Sequence, residues 1–288
     1  MSYQSIFQAN LFKGQTFIVT GGGSGIGRCT AHELAALGAR VALVGRKAEK
    51  VEAVKAEILE DGGLASAHVC DIREEAPVKA TVKAIIAEHG GLNGVVNNAG
   101  GQFASPLAGI NQKGWETVVR TNLTGGFLMS REAYTQALSK TGGAIVNIVA
   151  DMWGGMPGMG HSGAARAGMV NFTQTAAVEW AAAGVRVNAV APGWVASSGM
   201  DNYPDHMKQW IRSLGDNVPL RRMGTESEIS AAICFLLSPG AAFISGDCLR
   251  IDGAASHGGR VWPLPKAGNN QPFNGFHRAV TPKVLGED

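Results

Sequence analysis

Along the chain, short apolar runs alternate with longer stretches whose apolar residues recur at helical spacing. Thr16-Phe17-Ile18-Val19 reads as a buried strand, and the stretch from Arg28 to Leu37, with Ala31, Leu34 and Ala35 on one face, reads as a helix. The alternation continues with strands at 41–44, 65–70, 94–96, 144–149, 185–190 and 247–251. Helical patterns fall at 48–59, 78–88, roughly 113–138, 162–182 and 226–237. Near-continuous apolar strands separated by helices predict a parallel sheet covered on both faces. The expected fold is therefore α/β, a Rossmann-like doubly wound seven-stranded parallel sheet. No boundary interrupts the pattern before about residue 255, so residues 1–255 are expected to form a single domain. Residues 256–288, rich in Pro, Gly and Asn, read as an irregular tail.

Composition narrows the function classes. The 288 residues carry a formal net charge of +2, which gives no basic excess for nucleic acid or an anionic membrane surface. Cys29, Cys70, Cys234 and Cys248 lie far apart, without metal-ligand spacing, and read as free thiols in a reducing compartment. Met1 to Lys13 lacks a basic segment followed by an apolar core, and no apolar run approaches the roughly 20 residues that cross a bilayer. The expectation is a soluble, cytoplasmic protein with a small-molecule partner and no metal.

The chemistry gathers after the first strand, at Thr20-Gly21-Gly22-Gly23-Ser24-Gly25-Ile26-Gly27. A glycine-rich turn between a strand and a helix lets backbone approach a pyrophosphate, and the helix N-terminus offers it unpaired N–H groups. An ordinary loop can carry glycines too; the flanking strand and helix favour nucleotide binding.

Joined to Asp71-Ile72, Asn97-Asn98-Ala99-Gly100, Asn122 and Pro192-Gly193, this loop resembles the short-chain dehydrogenase/reductase pattern over about residues 14–253. Gly100-Gly101-Gln102-Phe103, Lys113-Gly114-Trp115, Thr121 to Gly125 and His161 to Gly168 are similar to the peroxisomal trans-2-enoyl-CoA reductase branch, related to the 2,4-dienoyl-CoA reductases. The resemblance implies a nicotinamide cofactor on Gly21, Ser24, Gly25, Ile26 and Gly27, making residues 1–255 the NADP-binding catalytic unit. It places Asp71 at the adenine amino group, Ile72 against its ring, and Asn98, Ala99 and Gly100 along the adjacent ribose. Pro192, Gly193, Val195 and Ser197 stand where family members hold the nicotinamide carboxamide. It also implies a homotetramer, which small residues along the helix from Ser162 would permit.

An acidic residue ending the second strand would select NAD, but Gly45-Arg46-Lys47 stands there. Arg46 and Lys47 can pair with a 2′-phosphate, Arg46 bidentately, which favours NADP(H). A solvated basic pair is the plainer alternative.

The catalytic positions depart from the family. The Tyr and Lys of its YxxxK pair fall on Ser162 and Arg166, and its Ser on Val149 or Ala150; Asn122 alone is kept. A serine hydroxyl does not replace a phenol as proton relay at neutral pH, so ketone reduction through the usual Tyr is excluded. Reduction of an activated double bond stays open, because hydride attack on an enoyl thioester needs fixed donors at the developing oxyanion. Arg166 would hold the ribose. The dienoyl reductases supply a Tyr from the loop after the fifth strand, but that slot is Asp151 here. Asp151, if burial kept it protonated, and His161 are the candidate proton donors; each also reads as a structural residue.

The loop 152–159 with Trp194 and Met200 suggests an apolar substrate such as an acyl-CoA under a lid over 198–222, although apolar loops also bury themselves. Lys208, Arg221 and Arg222 could meet a CoA phosphate, but a solvated basic face is the favoured reading of them. The sequence thus reads as an NADP(H)-dependent enoyl-CoA reductase-like oxidoreductase. Action on another apolar alcohol or carbonyl, and a catalytically silent NADP-binding subunit, are the alternatives.

Overall fold

The computed structural model describes residues 2–257, 264 and 270–286. Strands β1 (Thr16–Thr20), β2 (Arg40–Gly45), β3 (Leu64–Val69), β4 (Gly94–Asn97), β5 (Gly143–Ile148), β6 (Val185–Pro192) and β7 (Cys248–Ile251) pair in parallel, in the order β3-β2-β1-β4-β5-β6-β7. Ile18 lies opposite Ala42 on one side and Val95 on the other. Every residue of β1 and β4 is buried, as uninterrupted apolar strands require, whereas edge strands β3 and β7 are half-exposed.

Helices cover both faces: α1 (Gly25–Ala36), α2 (Ala48–Glu60), α3 (Glu75–His89), α4 (Gln112–Val119), α5 (Gly125–Ala133), α6 (Ser139–Thr141), α7 (Gly160–Glu179), α8 (Lys208–Arg212) and α9 (Glu226–Leu237). On one face Leu34 of α1, Val51 and Ile58 of α2 and Ile229 and Ile233 of α9 bury against the sheet. On the other, Val78, Val82 and Ile85 of α3 pack with Leu128 and Met129 of α5 and Ala176 and Ala177 of α7. Thr225 caps α9 reciprocally with Glu228, an arrangement of about 1 kcal/mol that fixes where the helix starts. The chain winds outward from β1 toward β2 and β3 and outward from β4 toward β7, which leaves a crevice at the carboxyl ends of β1 and β4.

The strands match their expected spans within a residue or two, and the exceptions among helices are informative. The single helix expected over 113–138 is interrupted by π-helical turns at Arg120–Thr124 and Tyr134–Leu138. Apolar periodicity does not register one extra residue per turn, yet the first of these turns re-aims Asn122. Helix α1 begins at Gly25, three residues before the apolar periodicity, because Gly25 enters it with φ +58°. The cysteines are free thiols; Cys29, Cys70 and Cys234 are buried.

Part of the tail expected over 256–288 (258–263, 265–269 and 287–288) lies outside the described residues. The described part has no strand or α-helix, but it docks firmly. Phe276 is buried with Tyr3 and Cys29, Arg278 clamps Glu60 and Asp61, and Val284 is buried with Met200, Ile211 and Leu214. Among the described residues no helix is long and apolar enough to cross a membrane.

Candidate active site

The crevice holds a cavity of about 370 Å³ lined by Gly21, Ser24, Gly25, Ile26, Arg46, Lys47, Asp71, Ile72, Asn98, Ala99, Gly100 and Ser197, so most expected cofactor contacts share one space. Gly21 turns the chain at φ +65°, and a Cβ there would sit 2.8 Å from the Asn98 amide and 2.9 Å from the Ala99 backbone. Gly27 lies beneath the loop rather than on its surface, and a Cβ on it would collide with the same amide. The Asn98 amide in turn donates to the carbonyls of Thr20 (2.9 Å) and Gly21 (3.2 Å), so β4 fixes the loop. Ser24 precedes α1 in extended conformation without a side-chain cap, which leaves first-turn N–H groups for an anion. A loop that admits no side chains, ending on an uncapped helix, fits a dinucleotide pyrophosphate.

The adenosine end is more basic than the sequence suggested. Asp71, the expected adenine contact, is gripped by Arg73 at 2.5–3.1 Å. Those bonds above all hold its carboxyl down at about 2, with Arg46 contributing from across the cavity. Arg73 and Lys50 line the same cavity as Arg46 and Lys47, so four cations share it with one paired carboxylate. Arg73, two residues after Asp71, was within reach of a sequence argument; Lys50, one turn into α2, was too.

Glu226 was not anticipated. It stands in the first turn of α9 with Oε1 3.8 Å from the position a Cβ on Gly25 would take. Burial raises its carboxyl to about 7, against the pull of Arg28.

Asn122, Arg166 and Gly100 meet beyond the ribose end. Asn122 donates from Nδ2 to the Gly101 carbonyl (2.7 Å) and accepts from the Gly101 N–H (3.0 Å), so its amide clamps the loop after β4. Arg166 donates to the Ile148 carbonyl at 2.6 Å, and a Cβ on Gly100 would lie 2.6 Å from its Nη2. Its Nε is sealed without a partner; burial lowers the guanidinium to about 10, and it stays charged at pH 7.

Ser162 is fully buried and donates to Gln102 Oε1 at 2.6 Å, while Gln102 Nε2 donates to the Tyr203 hydroxyl at 3.3 Å. This bridge joins the YxxxK position to a phenol in the 198–222 segment, and its members lie too far apart in sequence for spacing to signal it. His161, also fully buried, accepts the Ser162 N–H on Nδ1, and Phe103 meets its ring edge-to-face at 4.4 Å. Nε2 of His161 and Oδ1 of Asp151 are sealed without hydrogen-bond partners. Pro192, Gly193 and Val195 sit at and just after the end of β6, off the cavity lining; a Cβ on Gly193 would press on Asp252 at 2.9 Å.

Apolar side chains are exposed nearby: Phe103 on His161 and Leu107 beside Gly160 are 42% and 66% exposed, and Trp153, 42% exposed, carries Arg250 over its ring at 3.9 Å. Trp194 packs against a cluster of Met200, Ile211, Leu214 and Val284. The three cations read as a basic face or as contacts for a CoA phosphate each have a partner within the chain. Lys208 pairs with Asp205, Arg222 with Glu228, and Arg221 with the Asp216 backbone carbonyl.

Comparison with known proteins agrees with this geometry. A family model described as enoyl-(acyl carrier protein) reductase matches residues 21–256. A Bacillus subtilis protein described as a probable 2,4-dienoyl-CoA reductase is 37% identical over 240 residues, 82% of this chain and 94% of that one. The citronellol catabolism dehydrogenase of Pseudomonas aeruginosa PAO1 is 66% identical, with a TM-score of 0.80 over 88% of this chain and 100% of that one. A Beutenbergia cavernae structure with NADP bound at low occupancy is 30% identical, with a TM-score of 0.81 over 87% of this chain and 100% of that one. The chain is an oxidoreductase that uses a nicotinamide cofactor, and it belongs to the short-chain dehydrogenase/reductase family.

Proposed function

We propose that the protein is an NADP(H)-dependent reductase of an activated carbon–carbon double bond in an apolar, enoyl-thioester-like substrate. The observation that carries this reading is Ser162: it stands in the family's phenol position, and its hydroxyl is committed to Gln102. Carbonyl reduction needs an acid at that point, whereas conjugate hydride addition needs an oriented cofactor, an oxyanion donor and a proton at the neighbouring carbon.

The bound nicotinamide would supply the hydride. Arg46 and Lys47 meet the 2′-phosphate, and the glycine loop and α1 meet the pyrophosphate. Arg166, fixed on Ile148, grips the ribose and sets the ring's position. Gln102 donates into the Tyr203 oxygen, which leaves the phenol proton free to be given to the substrate. His161 keeps its proton on sealed Nε2, and Asp151 would serve as donor only as a protonated carboxyl, since a carboxylate can only accept. The exposed Phe103, Leu107 and Trp153 receive the chain, and the citronellol-catabolism relative favours a methyl-branched one. The same relative supports a second reading, oxidation of a branched apolar alcohol with Tyr203 as base.

Anaerobic assays with NADPH and straight or branched 2-enoyl-CoAs, run beside NADP⁺ with apolar alcohols, separate the readings. Turnover of enoyl thioesters is expected, and turnover of alcohols alone would replace the first reading by the second. Tyr203→Phe is expected to lower kcat by about 10²- to 10⁴-fold; an unchanged rate would return the proton to Asp151 or water.

A further inference from the structure

Away from the cleft, two segments converge on Asp61, the residue after α2. His32 of α1 places Nδ1 3.3 Å from Asp61 Oδ2, and His277 of the C-terminal segment places Nε2 2.8 Å from the same oxygen. The side chains of His32, Asp61 and His277 are 2%, 13% and 11% exposed.

Neither approach is an aligned hydrogen bond. His32 makes its hydrogen bond on the other side, from Nε2 to Glu57 Oε2 at 3.0 Å. Two bonds from Arg28 help hold Glu57 ionised, so the Glu57 side takes the imidazole proton and Nδ1 faces Asp61 as a bare lone pair. Both ring nitrogens of His277 are sealed without a hydrogen-bond partner. The His32 Nδ1 lone pair therefore faces a carboxylate oxygen at 3.3 Å, an approach that a cation between them would relieve, and His277 Nε2 lies 2.8 Å from that same oxygen.

We infer that His32 Nδ1, His277 Nε2 and Asp61 Oδ2 are the protein ligands of a zinc(II) site whose fourth position is taken by water. The 3.3 Å separation is about the edge of a tetrahedron with bonds near 2.0 Å, and the 2.8 Å one needs to open by about half an ångström. Glu57 orients His32 from behind, as carboxylates do for zinc-bound imidazoles. Arg278 secures Asp61, donating from Nη2 to Oδ1 at 2.8 Å and from Nε at 3.1 Å to Oδ2, which keeps further lone-pair capacity for the ion. Glu57, Glu60 and Asp61 outnumber Arg28 and Arg278, which leaves a negative site for the ion. A cavity of about 180 Å³, lined by His32 and Asp61, offers entry and room for the water.

A second cluster, His68, Glu88 and His89, is a poorer site because the Ser66 hydroxyl already bonds both imidazole Nε2 atoms at 2.7 and 2.8 Å. The proposed ion would tie the C-terminal segment to α1 and α2, a structural use of metal.

The test titrates chelator-stripped full-length protein with zinc chloride by calorimetry, and with cobalt(II) by visible absorption. A single-site isotherm and an intense tetrahedral cobalt band are expected. His277→Gln should abolish both, Glu57→Gln should weaken zinc about 10- to 100-fold, and His89→Gln should change neither. Should His277→Gln release the segment altogether, the Glu57→Gln arm still decides. Equal affinity of the unmodified protein and Glu57→Gln, or no saturable binding at micromolar zinc, would overturn the site.

Discussion

The two ends of the candidate site are built from different materials. At the pyrophosphate end the contacts come from backbone: Gly21 and Gly27 are there because any side chain would strike Asn98 or Ala99, and α1 offers its own N–H groups. At the ribose and substrate end everything depends on side-chain identity, through Arg166 on Ile148, Asn122 on Gly101 and Ser162 on Gln102. A backbone cradle keeps its ligand while side chains around it change. The reaction, by contrast, is rewritten when a phenol becomes a serine, so family membership fixes cofactor class well before it fixes chemistry.

Four substitutions sharpen that contrast. The largest effect is expected from Arg166→Ala, which removes a fixed cation beside Gly100 and frees the ribose. The expected loss in kcat/KM is about 10²-fold or more, with NADPH KM rising and kcat falling together; steady-state kinetics decide, and an unaltered kcat would make Arg166 merely structural. Arg46→Asp comes next, with NADPH binding weakened about 10- to 100-fold by calorimetry and NADH binding improved. Equal affinities for the two cofactors in the unmodified protein would remove the basis for that expectation.

Glu226→Gln tests whether a side chain matters in the backbone-built half. The folded carboxyl, at about 7, lies above its unfolded value, so its contribution to stability is complete at low pH and is lost as pH rises toward and through 7. The slope through this group is at most about 1.4 kcal/mol per pH unit. Urea midpoints across pH 5–8 should flatten in Glu226→Gln; an identical profile would show that the group titrates normally. The smallest effect is expected from Ser162→Ala, a change in kcat of less than about tenfold, because the proposed reaction passes no proton through that hydroxyl; a loss of about 10²-fold would make it an oxyanion donor.

What was legible in the sequence follows the same division. Strands β1, β4, β5 and β6 announce themselves because buried parallel strands are apolar throughout. The glycine loop and Arg46-Lys47 are local patterns, read within a few residues. The Gln102–Tyr203 bridge was hidden, since a hydrogen bond across 101 positions leaves no periodicity. The docking of Phe276, Arg278 and Val284 was hidden for the opposite reason: a segment without repeating structure has no phase by which to predict its partners. Lys208 and Arg222 carried two readings because charge alone does not reveal an ion pair already formed with Asp205 or Glu228.

The π-helical turn at Arg120–Thr124 has a consequence for the phase of everything after it. It carries one residue more than an α-helical turn, and each residue of an α-helix turns the chain by about 100°. Deleting one residue there would restore a regular ladder while swinging α5 around its axis by that angle relative to α4. Asn122 is bonded to Gly101 on one side of the turn, and on the other Ser130 accepts from the buried Asn97 amide at 2.8 Å. One of those two grips would have to be released. The surplus residue is therefore a phase shifter, letting a single rod of helix hold the active-site loop at one azimuth and the sheet at another.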